Sequence, residues 1–417
     1  MTDLTRDRAE MLDASDPLAY LPGLFVRSDP NLVYLDGNSL GMLPRRTRDR
    51  LSEVVSDGWG SELVRGWHHW ISLPGEVGDR LGSALLGARP GQVLVTDTIT
   101  VNLYKLAAAA LGRDSRRRVV VSDARNFPTD RFALEGVAEA MGGSVRWINS
   151  DPVEGVSTEQ VAAVMSPDVG LVALQHVDYR GGAVADVPGV TGVAHEAGAL
   201  VLWDLAHSAG AVPIELDRWG VDLAVGCTYK YLNSGPGAPG FLYVRQSLHA
   251  ELHNPIRGWW AQPDLFAMDL PFSPAADISR FLTGTQSVLG LTSVDESVAM
   301  LAEVGIGALR QRSISLVSYL VELVGARLEP LGFVLRSPTD PLRRGGHIVV
   351  SHPDAPKIAS ALVSRADVVP DVRPPDLLRL SPSPASSSFV EVWEGVTRIA
   401  ALVESGGYAD ATVGRVT

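Results

Sequence analysis

The chain has 417 residues, of which 46% are hydrophobic and 20% are charged. This composition is typical of a globular protein with two or three domains, or with one large α/β domain and a smaller partner. The net charge of −12 argues against a nucleic-acid or anionic-membrane partner. The single cysteine, Cys227, excludes intrachain disulfides and cysteine clusters for zinc or iron–sulfur centres. No stretch is apolar enough to span a bilayer, and the charged first 16 residues lack the apolar core of a secretory signal, so we expect a cytoplasmic protein.

In chain order, the first ninety residues predict an extended piece at 32–35, a turn-rich GNSLG at 37–41, and helices near 44–58 and 76–86. From residue 92 onward, short apolar runs alternate with helical patterns. Such alternation predicts a mostly parallel sheet covered by helices on both faces. The predicted strands are 93–95, 119–122, 144–148, 170–174, 199–203, 221–225 and 240–244.

After about residue 285 the pattern changes. A long helical region at 287–328 precedes strand-like runs at 332–335 and 347–351, a helix at 355–363 and a last helix from Phe389. This pattern predicts a smaller α+β domain. We therefore predict an N-terminal segment packing with the small domain (1–60), a large domain (61–300) and a C-terminal small domain (301–417). No Pro/Gly-rich linker marks the boundary near 290–310, so one long helix is expected to cross it.

The chain contains only three lysines but 33 arginines. Lys105 and Lys357 lie in helix-like stretches, where a partly exposed helical lysine is the simplest interpretation. Lys230 follows Tyr229 shortly after an apolar run and precedes a Gly/Pro-rich turn, while Asp204 ends the preceding apolar run. Pyridoxal phosphate requires an amine to carry it and a carboxylate to keep its ring nitrogen protonated. The pattern therefore predicts a pyridoxal phosphate site built on Lys230 and Asp204.

At WDLAHSAG (203–210) and TYKYLNSGPGAPGF (228–241) the sequence strongly resembles the kynureninase family, which is related to the class V aminotransferases. The resemblance runs from about residue 30 to 400. It implies the fold-type I architecture, with a mostly parallel, seven-stranded sheet in the large domain and a smaller α+β domain. It also implies hydrolysis of the Cβ–Cγ bond of kynurenine to anthranilate and alanine. The other matching segments, in order, are YLDGNSLG (34–41), GW (58–59), TITVNLYKL (98–106), NFPTD (126–130), HVDYRGG (176–182), GWW (258–260), RFLTGTQ (280–286) and LLRLSPSP (377–384).

The resemblance also implies a role for each matched position. Lys230 and Tyr229 are implied as the catalytic residues, with Lys230 carrying the cofactor. The substrate is implied to contact Ser39, Trp67 and Arg379, the last through its α-carboxylate. Two of the cofactor contacts, Trp259 and Thr285, are implied to come from the neighbouring subunit of a homodimer. The implied cofactor-binding residues are Ile99, Thr100, Phe127, Asp130, Gln175, Asp204, His207, Tyr229, Lys230, Trp259 and Thr285.

Several alternatives remain open on sequence alone. Asp204 is also a reasonable helix cap, and a tyrosine beside a lysine is also a reasonable rim aromatic. A different fold-type I aminotransferase or lyase is the first functional alternative, and a cofactor-binding protein without turnover is the second. A cysteine desulfurase is not expected. Such an enzyme needs a cysteine far from the lysine, whereas Cys227 lies three residues upstream of it. No metal is predicted, because the pair of His249 and His253 has no evident third ligand.

Some positions depart from the family pattern. Ser287 and Ser386 stand where the family often has Pro and Tyr, and Ala385 stands where it often has Leu. Ala261 and Gln262 follow GWW, and Asp178 replaces a common Asn. None of these departures touches Lys230, Tyr229, Asp204 or Arg379. They leave open a ring-substituted kynurenine, such as 3-hydroxykynurenine, as the substrate.

Overall fold

The computed structural model of the protein describes residues 4–267 and 271–413. Thirteen strands and twelve helices lie in this part of the chain. The strands are β1 (Val33–Tyr34), β2 (Val93–Val95), β3 (Val119–Asp123), β4 (Ser144–Ile148), β5 (Val169–Gln175), β6 (Leu200–Asp204), β7 (Leu223–Gly226), β8 (Phe241–Val244), β9 (Val334–Leu335), β10 (Ile348–Ser351), β11 (Val368–Val369), β12 (Asp371–Arg373) and β13 (Leu377–Leu380).

The helices cover the sheets on several sides. They are α1 (Arg6–Ser15), α2 (Arg45–Glu53), α3 (Trp67–Trp70), α4 (Leu73–Leu81), α5 (Ile99–Leu111), α6 (Pro128–Ala140), α7 (Thr158–Val164), α8 (Val187–Glu196), α9 (Val288–Val304), α10 (Ile306–Leu323), α11 (Ala355–Arg365) and α12 (Phe389–Glu404). Within the described ranges no helix is both long and apolar enough to cross a membrane.

The main sheet has seven strands in the order β2-β8-β7-β6-β5-β3-β4. All neighbouring pairs are parallel except those of β8, which runs antiparallel to both β2 and β7. The predicted α/β fold class with a mostly parallel seven-stranded sheet is therefore confirmed. Every predicted strand of this sheet is present, with ends that differ by at most two residues.

The apolar runs form strands because both faces of the sheet are buried. Along β5 and β6, Val172 and Trp203 contribute to the apolar core on one face, while Ala173 and Leu202 contribute to the core on the other. Such alternation is the two-residue period of a strand. With helices on both sides, the strands read as continuous apolar runs, and polar residues are left to the strand ends.

A second sheet of four antiparallel strands, in the order β12-β13-β10-β9, follows the main sheet in sequence. Its core includes Leu378 and Val396 and also takes in Ala9 and Val33 from the start of the chain. In addition, β1 pairs in parallel with β11. The N-terminal residues thus pack with the C-terminal ones, although the division at 60 and 300 stays a prediction.

The expectation of one long helix across 290–310 is wrong. The structure has two helices, α9 and α10, separated at Gly305. Gly305 has a φ of 84°, and its N–H donates to the Leu301 carbonyl at 2.9 Å. A positive φ cannot continue a right-handed helix and is easily adopted only by glycine. The break was not predicted because it consists of one glycine and has no Pro/Gly-rich linker.

Candidate active site

A cavity of about 490 Å³ lies at the carboxyl ends of β6 and β7. In parallel α/β sheets this edge is where ligands bind, because the loops that leave the strands diverge there. Residues 34–40 and 369–373 complete the cavity wall. Nine of the predicted site residues line it: Ser39, Ile99, Thr100, Phe127, Asp130, Asp204, His207, Tyr229 and Lys230.

Lys230 lies in the middle of this group. Its Nζ is 3.0 Å from Nε2 of His207 and 5.9 Å from the centre of the Phe127 ring. Burial, followed by the positive charge of Lys230, lowers the pKa of His207 well below its usual value. His207 is therefore neutral, and its Nε2 can accept a hydrogen bond from the lysine. Among the described residues, Nδ1 of His207 has no hydrogen-bond partner.

The position of Lys230 depends on a close approach of the backbone. The Gly41 N–H donates to the carbonyl of Tyr229 at 2.7 Å. A Cβ at residue 41 would lie 2.3 Å from the carbonyl oxygen of Lys230. Only glycine fits at this distance, which gives the last residue of the GNSLG turn a specific steric role. The turn thereby packs directly against the lysine-bearing loop.

Two buried carboxyl groups, Asp204 and Asp130, face the same cavity. Asp204 ends β6, and its Oδ1 accepts from the Ala206 N–H at 2.8 Å. Burial, and then the charge of Asp204, raises the pKa of Asp130 well above its usual value. Burial also raises the pKa of Asp204, while the Lys230 charge opposes this shift. The two carboxyl groups therefore lie close enough for each to affect the other's pKa, and a cation placed beside them would be stabilised.

The N-terminus of α5 forms another part of the cavity wall. The helix begins at Ile99, and Thr98 caps it by accepting from the Val101 N–H at 3.3 Å. The first turn of a helix leaves backbone N–H groups without an acceptor inside the helix. Ile99 and Thr100 line the cavity at this turn, which suits a phosphate group.

The interpretation of Lys105 as a partly exposed helical lysine is wrong. Its side chain is fully buried, and its Nζ lies 2.7 Å from Oδ2 of Asp97 and donates to the Phe281 carbonyl at 2.9 Å. Asp97 has a φ of 47° and also accepts from the Thr283 hydroxyl at 3.2 Å. Lys105 therefore ties the start of the phosphate-type turn to the segment that leads to Thr285.

Replacing Lys105 by methionine should weaken this turn. The change leaves Asp97, whose side chain is 21% exposed, without its cation. Removing one partner of a buried pair costs about 3–5 kcal/mol, and the partial exposure of Asp97 reduces the expected loss to about 2–3 kcal/mol of unfolding free energy. Urea denaturation measures the loss, and Lys357→Met is the matched control, expected within about 0.5 kcal/mol of wild type. Equal unfolding free energies of Lys105→Met and Lys357→Met would contradict the stabilising role of the ion pair between Lys105 and Asp97.

Tyr229 and Cys227 are neighbours in the cavity wall. Burial raises the pKa of the Tyr229 hydroxyl, and the neighbouring Cys227 adds to this shift. Burial likewise raises the pKa of the Cys227 thiol. Both groups are therefore protonated at neutral pH. A protonated tyrosine can donate to a substrate, whereas a buried neutral thiol is a poor nucleophile.

Arg379 is held near the cavity but does not line it. It lies on β13, 1% exposed, directly opposite Asp371 of β12, with which it forms an ion pair through Nε and Nη2. Its Nη1 donates to the Tyr179 carbonyl at 2.6 Å, and its Nη2 is 3.4 Å from the Ser39 hydroxyl. Ser39 provides the link between Arg379 and the cavity.

Four further predicted site residues do not line the cavity in the described part of the chain. Gln175 donates to Asp178 at 3.1 Å and accepts from the Tyr179 N–H at 3.0 Å, and so holds the loop after β5. Trp67 packs edge-on against Trp260, with ring centres 5.9 Å apart. The other two, Trp259 (39% exposed) and Thr285, are exposed. Their predicted roles toward the ligand stay predictions.

Several other polar residues line this cavity and were not predicted from the sequence. Asn38, Asp36 and Arg373 line it together with Tyr34. Burial, and then the Asp371 charge, raises the pKa of Asp36 to about 7. A usable signal was present: Asp371 and Arg373 are two residues apart in a strand and so share a face. Six polar residues at this side of the cavity form a group that we call the carboxyl-end cluster: Asp36, Asn38, Ser39, Asp371, Arg373 and Arg379.

Known proteins support the fold and the family. A sequence profile of the kynureninase C-terminal domain matches residues 309–399. The chain is 37% identical over 415 residues to a kynureninase from Pseudomonas fluorescens, covering 98% of this chain and 97% of that one. It is 38% identical over 409 residues to a kynureninase from Burkholderia pseudomallei (strain 1106a), covering 96% of each chain.

Solved structures with the same fold are much more distant in sequence. A cysteine desulfurase from Thermococcus onnurineus NA1 superimposes with a TM-score of 0.79 at 18% identity, covering 95% of this chain and 98% of that one. The cystine C-S lyase C-DES, in complex with its product cysteine persulfide, gives a TM-score of 0.75 at 19% identity, covering 94% and 99%. At such identities the likeness concerns the fold alone.

Proposed function

The chain belongs to the kynureninase family, and from that premise we propose that it hydrolyses the Cβ–Cγ bond of L-kynurenine. The products are anthranilate and L-alanine, or the hydroxy analogue of anthranilate if the substrate is 3-hydroxykynurenine. Pyridoxal phosphate is the cofactor. The observation that carries this proposal is the common cavity in which Lys230 lies beside neutral His207 and faces the buried pair Asp204 and Asp130.

The residues that line the cavity suit both the ring and the phosphate of pyridoxal phosphate. Asp204 and Asp130 are buried together, and negative charge on this pair favours a protonated ring nitrogen beside them. The first turn of α5 offers N–H groups to a phosphate. Lys230 supplies the amine, and Phe127 supplies an aromatic face 5.9 Å from it. When bound, pyridoxal phosphate supplies the electron sink that makes bonds at the substrate Cα and Cβ labile.

The protein residues then supply binding and proton transfer. Lys230 moves the proton at the substrate Cα, because its amine is the basic group in the centre of the cavity. His207 is neutral and accepts a hydrogen bond from that amine. Tyr229 keeps its proton at neutral pH and donates it near the substrate Cγ, where water adds to the ketone. A positioned acid–base group of this kind contributes about 10²–10⁴ in rate.

A product assay tests the proposed function. Purified protein with bound pyridoxal phosphate is incubated with L-kynurenine, and the release of fluorescent anthranilate and of alanine is measured. We expect one alanine for each anthranilate. Stoichiometric formation of a 2-oxo acid without an aromatic amine would instead support an aminotransferase of the same fold. No product from any aryl-ketone amino acid would support a binding protein that lacks turnover.

Cysteine desulfurization, the activity of one fold neighbour, has less support in this chain. Cys227 lies beside the cofactor site, two residues before Tyr229, and is 2% exposed. Cys227 directly follows the last residue of β7 and does not lie on a separate loop. Burial raises the pKa of its thiol. A thiol in this state is a poor nucleophile. Retained activity in Cys227→Ala agrees with the proposed function, since kynurenine hydrolysis needs no cysteine.

The protein is further proposed to act in the cytoplasm as a homodimer, in tryptophan catabolism through the kynurenine pathway that leads to NAD. The exposed Trp259 and Thr285 are the residues assigned to the neighbouring subunit's cofactor. Light scattering on the purified protein measures the mass directly. A monomer of 44.5 kDa with full activity would contradict the shared active site.

The ring preference of the enzyme is a separate prediction. Family members that favour 3-hydroxykynurenine tend to have His at the position of Trp67 and Asn at the position of Thr285. Trp67 offers stacking and one N–H, and Thr285 has a shorter polar reach. A ring hydroxyl buried without partners costs about 1–3 kcal/mol, so we expect kcat/KM to be higher for unsubstituted L-kynurenine. A roughly tenfold preference for 3-hydroxykynurenine would show that Ser287 and Ser386 determine specificity instead.

A further inference from the structure

The carboxyl-end cluster contains two arginines that share one internal carboxylate. Asp371, fully buried, forms ion pairs with Arg379 across the β12–β13 pair and with Nη2 of Arg373 at 3.1 Å. The side chains of Asp371 and Arg373 share one face because they are two residues apart on β12. The guanidinium groups are thus gathered around a carboxylate that belongs to the protein.

The two arginines differ in their access to the cavity. Arg379 is 1% exposed and does not line the cavity, and its three nitrogens are engaged by Asp371, by the Tyr179 carbonyl and by Ser39. Arg373 lines the cavity, and its side chain is 26% exposed. Among the described residues its buried Nε has no hydrogen-bond partner. Arg373 is therefore the cation with unused donor capacity at this end.

We propose, on the premise of the proposed function, that Arg373 contacts the substrate α-carboxylate directly, together with Ser39, which Arg379 holds from behind. Asp371 acts as the internal counter-ion that holds both guanidinium groups until the substrate carboxylate arrives. A guanidinium has five N–H donors in a fixed plane, so Arg373 can pair with Asp371 through one edge and with a carboxylate through another. Arg379 then positions the Ser39 side chain and adds a second positive charge near the substrate carboxylate.

The charges of the cluster agree with this arrangement. Without substrate, Arg373 and Arg379 face the carboxyl groups of Asp36 and Asp371. A substrate carboxylate would bring a third carboxyl group to two cations. Burial and the Asp371 charge raise the pKa of Asp36 to about 7, so this group readily takes up a proton and balances the added charge.

The experiment compares variants of the holoenzyme with two ligands that differ only in the α-carboxylate. L-kynurenine gives kcat and KM, and the corresponding amine without the carboxylate gives a Ki as a competitive inhibitor. Arg373→Gln should raise KM by about 10- to 100-fold, the effect of losing a hydrogen bond between charged groups, while the Ki of the amine stays within about twofold. Arg373→Lys keeps the charge without the planar fork and should give an intermediate KM.

Two further variants complete the test. The control is Arg336→Gln, which should leave KM unchanged. Arg336 is exposed, and its Nε donates to the Ser351 hydroxyl at 3.0 Å. Asp371→Asn removes the internal counter-ion, so KM should fall or stay constant although the protein becomes less stable. A rise of KM in Asp371→Asn equal to that in Arg373→Gln would overturn the counter-ion role.

Other outcomes separate this inference from the proposed function. An unchanged KM in Arg373→Gln, or an equal rise in KM and in the Ki of the amine, would overturn direct carboxylate contact. If the wild-type holoenzyme releases no aromatic amine from L-kynurenine, the proposed function fails. Titration of the cofactor absorbance with L-alanine then still tests Arg373, because an unchanged Kd in Arg373→Gln would reject the contact.

Discussion

Replacing Lys230 by alanine is expected to reduce kcat by about three orders of magnitude or more, because the change removes both the amine that carries the cofactor and the base at Cα. The Nζ atom lies 3.0 Å from His207 and within the cavity that contains Asp204 and Asp130, so no other described lysine can replace it. Steady-state kinetics with L-kynurenine measures the loss. The absorbance of the variant should also lack the visible band of a lysine-bound cofactor.

The other two lysines provide the controls for Lys230→Ala. Lys357, on α11, should tolerate alanine with unchanged kinetics. Lys105→Met should lose stability and cofactor affinity but should keep the lysine-bound spectrum once it is saturated with cofactor. A Lys230→Ala variant that retains more than about a tenth of wild-type kcat would contradict the assignment of this lysine.

Replacing Asp204 by asparagine is expected to lower kcat by about 100-fold or more while the fold is retained. The amide is nearly the same size, but it carries no charge to favour a protonated ring nitrogen. Asp204 also accepts from the Ala206 N–H at 2.8 Å, a bond that the asparagine Oδ1 can still accept. The measurement combines kcat with a urea denaturation curve, which should change by less than about 1 kcal/mol.

A capping aspartate makes the matched control for Asp204→Asn. Asp186 caps α8 by accepting from the Gly189 N–H at 3.0 Å and lies outside the cavity lining. Asp186→Asn should leave kcat unchanged, because asparagine caps helices about as well as aspartate. If Asp204→Asn behaves like Asp186→Asn, then Asp204 has only the capping role that sequence alone left open.

The main sheet was predictable from the sequence because burial on both faces leaves a simple pattern. Strands such as β6 and β8 are short apolar runs between polar turns, and their ends were predicted within one residue. The break between α9 and α10 was not predictable in the same way. Gly305 is one glycine within a long helical pattern, and the sequence does not distinguish a glycine that continues a helix from one that ends it.

The grouping of Lys230, Asp204 and Tyr229 in one cavity was also predictable. Lys230, Asp204 and Tyr229 follow apolar strands, so the topology brings them to the same edge of the sheet. Lys105 was misinterpreted, because its partner Asp97 lies on a turn eight residues earlier and its acceptor, the Phe281 carbonyl, lies far away in sequence. Burial that arises from such a distant contact leaves no periodic signal in a helix.

The carboxyl-end cluster was the least predictable part of the site. It joins the turn at 36–39 to β12 and β13, more than 300 residues later, through the bridge between Asp36 and Ser381. Arg373 is one of 33 arginines, and its role depends on this bridge and on the shared Asp371. Pairing between segments so distant in sequence cannot be inferred from local propensity.

The attachment of the cofactor to Lys230 is tested most directly by chemical reduction. The holoenzyme is treated with borohydride, which makes the bond between lysine and cofactor permanent, and the digested protein is analysed by mass spectrometry. We predict that the pyridoxyl group is found on the peptide that contains Tyr229 and Lys230. A modified peptide containing Lys105 or Lys357, or no modified peptide, would contradict the attachment of the cofactor to Lys230.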